Sequence, residues 1–161
     1  MSAPDLETLL DHETQIESAI VTLLQAQKIP AVRTDGNETL ETPRVEVVAT
    51  VGPQGMHQAV ISSGTLANAR VYDMFAVGVD VSLVVDLSAG QPVQNLRGLL
   101  RKAIIYITPA NLNAQLTYLT VAEESVRQTS GTRAAEDSGK VIRLTCGLTL
   151  IAAIKSSAWP A

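Results

Sequence analysis

Val71-Tyr72-Asp73-Met74-Phe75-Ala76-Val77-Gly78-Val79-Asp80-Val81-Ser82-Leu83-Val84-Val85 is the stretch that decides the fold. Its odd positions are Val71, Asp73, Phe75, Val77, Val79, Val81, Leu83 and Val85, while Asp80 and Ser82 fall on the other parity. Successive side chains of a strand point to opposite faces, so the alternation predicts a sheet with one buried and one polar face. A run of this length would span roughly 50 Å at about 3.3 Å per residue, far beyond the usual strand of about five or six residues. The strand must therefore bend, with Gly78 as the expected place, or its early half must leave the core as a hairpin arm.

Toward the amino terminus, Thr42-Pro43 leads into Arg44-Val45-Glu46-Val47-Val48-Ala49-Thr50-Val51, a second alternating stretch that follows the turn signal Asp35-Gly36-Asn37. Gly52-Pro53-Gln54-Gly55 is loop chemistry, and residues 56–61 form a candidate short strand. Residues 5–27 read as an amphipathic helix. Leu6, Leu9, Leu10, Ile16, Ile20, Leu23 and Leu24 share one arc, and Pro30 ends the run. Glu13 lies inside that arc, so it is expected either to reach water from a partly exposed turn or to meet a partner subunit.

Toward the carboxyl terminus, Gly90-Gln91-Pro92 opens a helix over 93–106, with Leu96, Leu99, Leu100, Ala103 and Ile104 on one side and Arg97, Arg101 and Lys102 on the other. Thr108-Pro109 stops it, and residues 111–116 are expected to add one short turn. Strands follow over 118–127 and 141–154. In the latter, Ile142, Leu144, Cys146, Leu148, Leu150 and Ala152 share a face. The polar connection of residues 128–139 exceeds the two to five residues of a simple hairpin, and such loops are usually functional or disordered. The expected fold is a single α+β domain over 1–161, a mainly antiparallel sheet flanked by two helices in the order α-β-β-α-β-β, with 155–161 as a short tail.

Composition narrows the function classes. The 12 basic and 16 acidic side chains give a net charge of −4, which argues against a broad cationic face for a phosphate backbone. Only 3% of residues are aromatic, so the core is expected to be aliphatic. One cysteine excludes an intramolecular disulfide framework. The first ten residues carry acids and no basic segment of a signal peptide, and no apolar run approaches the roughly 18 to 20 residues needed to cross a bilayer.

No constellation points to catalysis, a metal or a cofactor. His12 and His57 have no cysteine or second histidine at ligand spacing, and structural or surface roles are expected for both. Cys146 falls on an apolar strand face, as an inert buried thiol does. Glu123-Glu124 and Glu136-Asp137 are sequence neighbours, which on a strand point to opposite faces and read as solvated charges. The glycines form neither a Walker loop nor a dinucleotide fingerprint. Arg97, Arg101 and Lys102 are either an exposed helix face or a subunit contact with acids around Glu136.

The order of elements, together with Glu17-Ser18-Ala19-Ile20-Val21-Thr22-Leu23-Leu24, Thr42-Pro43-Arg44-Val45-Glu46-Val47, residues 72–85, Leu96-Arg97-Gly98-Leu99-Leu100 and the 133–140 segment, resembles the tail-terminator and tail-completion proteins of tailed bacteriophages. The likeness is one of layout and covers nearly the whole chain. It implies a cofactor-free, non-enzymatic subunit of a ring, usually a hexamer, at the head-tail joint. The implied partners are further copies of itself, tail-tube proteins and head-connector proteins. DNA is implied only as passing cargo, no membrane is involved, and the location is the virion after assembly in the host cytoplasm. Under this resemblance the subunit interfaces are expected at Tyr72, Asp73, Phe75, Arg97, Arg101, Arg133, Glu136 and Asp137. A head-completion or tail-tube subunit shares parts of the layout. A cytoplasmic protein-binding or ligand-binding module and an enzyme with a scattered site are the alternatives of other classes.

Overall fold

The computed structural model describes residues 6–33, 41–52, 57–61, 70–91, 93–117, 119–123 and 125–154. The chain forms helix α1 (Leu6–Ala26), strands β1 (Ala31–Arg33), β2 (Arg44–Val51), β3 (His57–Ile61) and β4 (Arg70–Asp86), then helices α2 (Val93–Tyr106) and α3 (Pro109–Gln115). Strands β5 (Leu119–Val121), β6 (Arg127–Gln128), β7 (Arg133–Ser138) and β8 (Val141–Ile154) complete it. The fold is α+β, as expected, with three helices where two were anticipated. The third is the predicted turn lengthened by its cap, in which the Thr108 hydroxyl accepts from the Asn111 N–H at 3.2 Å and Pro109 sits at the helix start.

Two long strands organise everything else. β4 and β8 pair antiparallel from Met74↔Ala153 to Asp86↔Val141. Each has a segmented neighbour on its outer side. Along β4 run β2, paired from Arg44↔Val84 to Val51↔Val77, and then β3, paired from His57↔Met74 to Ile61↔Arg70. Along β8 run β5, β6 and β7. β1 is the only parallel member among the described residues, beside β2 at Ala31↔Val45 to Arg33↔Val47. Three residues carry no legible period, which is why the sequence pattern missed it.

The alternation of β4 is realised as predicted. Phe75, Val77, Val79, Val81, Leu83 and Val85 are buried, in register with Val45, Val47, Ala49 and Val51 of β2 and with Leu144, Cys146, Leu148, Leu150 and Ala152 of β8. The helices cover this face, with Ile16, Ile20, Leu23 and Leu24 of α1, Leu100 and Ala103 of α2, and Leu112 of α3 in the same core. Leu6, Leu9 and Leu10 have side chains outside the described residues.

β4 passes through Gly78 with partners on both sides, Thr50 and Thr149, so the ladder has no break there. The surplus length is an arm instead: residues 70–73 run past the end of the β4–β8 pairing and hold β3 as their partner. Two other expectations change. The strand expected over 118–127 is two short pieces, β5 and β6, because Ser125 replaces main chain between them: its hydroxyl donates to the Ala122 carbonyl at 2.6 Å and accepts from the Ile151 N–H at 3.2 Å. The expected loop of 128–139 contains β7, which returns to β8 through a turn at Gly139, φ 55°. Arg133, Ala134 and Ala135 are all exposed, and the run Arg133-Ala134-Ala135-Glu136-Asp137-Ser138 has no alternation of large apolar residues, so nothing in its pattern announces a strand.

Candidate assembly surface

The sheet has several outer edges, and each unpaired edge presents N–H and C=O groups that need partners. β2 is covered by β1 only as far as Val47. Beyond it, α1 takes over. The Glu17 carboxylate accepts from the Ala49 N–H at 2.8 Å, and the Glu13 carboxylate accepts from the Val51 N–H at 2.7 Å. The spacing fits because four helical residues advance about 6 Å and two strand residues about 6.7 Å. Glu17 is held in turn by Arg33, Nε to Oε1 at 3.2 Å. Glu13, half-buried, thus uses one carboxylate oxygen within its own subunit. Its place inside the apolar arc is explained by a main-chain donor of its own sheet.

The outer edge of β8 is closed as carefully. Between β6 and β7 the Thr129 N–H donates to the Gly147 carbonyl at 2.9 Å, and the Ser130 hydroxyl accepts from the Gly147 N–H at 2.9 Å. Glycine leaves room for this contact, since a Cβ on Gly147 would lie 2.7 Å from the Ser130 hydroxyl oxygen and would force it to shift. Asn113 of α3 does the same for β5, accepting from the Val121 N–H at 2.7 Å and donating to its carbonyl at 3.0 Å.

β7 is different. It pairs with β8 on one side and, among the described residues, with nothing on the other. Arg133 pairs with Thr145 and Glu136 with Ile142, and the register shifts between Glu136 and Ser138, so Asp137 sits in an irregular step. At the opposite end of the sheet, Tyr72 and Asp73 stand on the arm, paired with Ala59 and Gln58 of β3. Phe75 must be withdrawn as an interface residue. It is fully buried and stacks on His12, with ring centroids 5.1 Å apart.

Arg97 and Arg101 come together on α2, along a groove of about 520 Å³ whose other wall includes Gln128 and Thr132. Thr132 immediately precedes Arg133, so the arginine pair and the β7 edge adjoin. Sequence reasoning joined α2 to the 128–139 segment only as a contact between subunits, and the fold makes them adjoin within one chain.

The sheet face away from the helices has a closed end and a bare end. At the closed end Glu46 of β2 is 3% exposed, held by Arg44 (Nε to Oε1, 2.7 Å) and by Arg143 of β8 reaching across β4. Burial pushes the Glu46 carboxyl up, but the hydrogen bonds from Arg143 and Arg44, with their charges, outweigh it and hold it below the ordinary value of 4.5. Ser82 and Thr145 share a hydrogen bond of 2.9 Å beside them. At the bare end Val48 and Ile151 are exposed, along with Thr50, Ala76 and Gly78. None of this cluster was singled out from sequence, although alternation alone places Glu46 and Arg143 on the same face as Asp80 and Ser82.

The groups with chemical potential are structural in their surroundings. Burial lowers the His12 imidazole, against the nearby charge of Asp11. Burial raises the Cys146 thiol, opposing the pull of Arg133, and its S–H points to the Ser130 carbonyl at 3.5 Å; a nucleophile needs the opposite shift. Among the described residues no three His, Cys, Asp or Glu side chains are grouped to hold a metal ion, and no helix is long and apolar enough to cross a membrane.

No family model matches the chain, and no curated protein matches it. Among solved structures it is similar to a chain from the virion of a native gene transfer agent particle, at 11% identity and a TM-score of 0.48, over 96% of this chain and 100% of that one. A second solved chain aligns at 15% identity and a TM-score of 0.40, over 98% and 100%.

Proposed function

We propose that this protein is a non-enzymatic virion subunit of a tailed phage, a tail-terminator or tail-completion protein that assembles into a ring at the head-tail joint or tail-tube end. One observation carries the self-assembly part: the chain closes the β2 and β8 edges with its own carboxylates, hydroxyls and an amide, yet among the described residues the outer edges of β7 and of β3, at opposite ends of the sheet, meet no partner. A protein managing its edges against aggregation blunts all of them unless one is reserved for a partner.

The symmetry of a ring supports the same reading. Identical subunits close into a ring through a heterologous interface, in which two different faces meet. β7 with the α2 arginines and the arm bearing Tyr72 and Asp73 lie toward opposite ends of the long strands, which provides two such faces. The interface residues of this reading are Tyr72, Asp73, Arg97, Arg101, Arg133, Glu136 and Asp137. The layout resemblance supplies the phage context, with tail-tube and head-connector proteins as neighbours and DNA as cargo. A net charge of −4 suits a channel that DNA must pass without sticking.

Native mass measurement and negative-stain imaging across a concentration series test the reading. A discrete ring, hexameric by preference, is expected. A strict monomer at every concentration, with or without tail tubes, would overturn it.

A further inference from the structure

Arg97, Arg101 and Ile105 follow one another at four-residue intervals and so form a single line along α2. They border the groove that is also lined by Gly98, Leu100 and Ile104 of α2 and by Gln128 and Thr132. Ile105 is 72% exposed, an unusual position for a large aliphatic side chain beside two charges. Among the described residues no carboxylate pairs with either arginine, and α2 itself contains no acidic residue. A concave strip with two unneutralised guanidinium groups and an apolar step is chemistry for an anionic segment that also carries an aliphatic side chain.

We infer that this groove is the receiving half of a contact between copies of the chain, taking an acidic segment with an aliphatic residue from a second copy. Charge selects that occupant. Of the 12 basic side chains, Arg97, Arg101 and Lys102 stand together on α2; the other nine face 16 acids, so the rest of the chain carries a net −7. A second copy approaching α2 therefore presents an excess of carboxylates, and the attraction is directional because three of the basic side chains stand together on one helix. The inference rests on the self-assembly reading above and adds which surface receives and by what chemistry.

The test compares wild type with Arg97→Glu/Arg101→Glu, Arg97→Lys/Arg101→Lys and Ile105→Ser. Each is followed by native mass spectrometry and sedimentation over a concentration series at low and high salt, with circular dichroism to confirm folding. The charge reversal should raise the concentration needed for assembly about tenfold or more, the lysine pair should retain most of the assembly, and Ile105→Ser should weaken it. Added salt should weaken wild type and the lysine variant while partly restoring the reversed variant, in which it screens a repulsion. If wild type assembles and the reversed variant assembles at the same concentration, the groove is not the receiving surface although the ring stands. If wild type never assembles, the ring reading and this contact fall together.

Discussion

The β2 edge and the β7 edge belong to one sheet and are finished in opposite ways. At β2 the last N–H groups meet Glu17 and Glu13, charged acceptors delivered by a helix at matching pitch. At β7 the outer edge meets nothing among the described residues, and its first three side chains are exposed. The contrast teaches that edge exposure here is not a by-product of a small domain. The chain has the polar residues to close an edge and places them at β2, at β5 and between β6 and β7.

The comparison breaks most easily on the sealed side. Replacing both carboxylates, Glu13→Ala with Glu17→Ala, removes two charge-assisted hydrogen bonds, each worth about 1.5–3 kcal/mol, and strands two main-chain donors. A loss of about 4 kcal/mol is expected by urea denaturation. A loss under about 1 kcal/mol would mean that the edge was never sealed in energetic terms.

The ion cluster on the open face sharpens the comparison with the same chemistry away from any edge. Arg143→Met leaves Glu46 buried beside Arg44 with one of its two guanidinium contacts gone, at a cost of about 3 kcal/mol near neutral pH. Because the folded carboxyl titrates below its ordinary value, the stability it contributes is fully present above about pH 4.5 and is lost as pH falls through the folded value. The variant should accordingly lose less stability than wild type between pH 5 and the acid limb, measured by denaturant melts at each pH.

Smaller effects are expected at the stitched edge of β8. Ser130→Ala removes the acceptor of the Gly147 N–H and should cost about 1–2 kcal/mol, read as a shift in the denaturation midpoint. The smallest change in monomer stability, within about 0.5 kcal/mol, is expected for Ala134→Lys on β7, since that side chain is exposed. Lysine on an edge opposes strand addition, so this variant should keep its melting temperature while assembling poorly. Unaltered assembly would remove β7 from the interface. A point substitution serves better than shortening residues 130–138, which would also strip Ser130 and β7 from β8.

Where burial governs, the pattern in the sequence was sufficient. β2 and β8 have the bounds expected from alternation, β4 extends by one residue at each end, and α2 spans 93–106 as read. Where polar groups bond main chain, the pattern was silent. Glu13 stood in the apolar arc as an anomaly whose main-chain partner went unseen, because a carboxylate serving a strand 38 residues away leaves no period in either element. β7 looked like a loop because its residues show no apolar alternation. Of the expected interface residues, Phe75 was placed on a surface by strand length alone, whereas its parity already put it with Val77 and Val79 in the core.

By itself the sequence determined an aliphatic α+β domain built on one overlong strand, since alternation and helical spacing are local consequences of which side chains avoid water. Only the tertiary structure decided that the surplus length is an arm held by β3, that α1 seals β2, and that α2 and β7 form one basic-walled border beside an open edge. Those outcomes depend on hydrogen bonds and juxtapositions between distant residues, and distance along the chain carries no record of them.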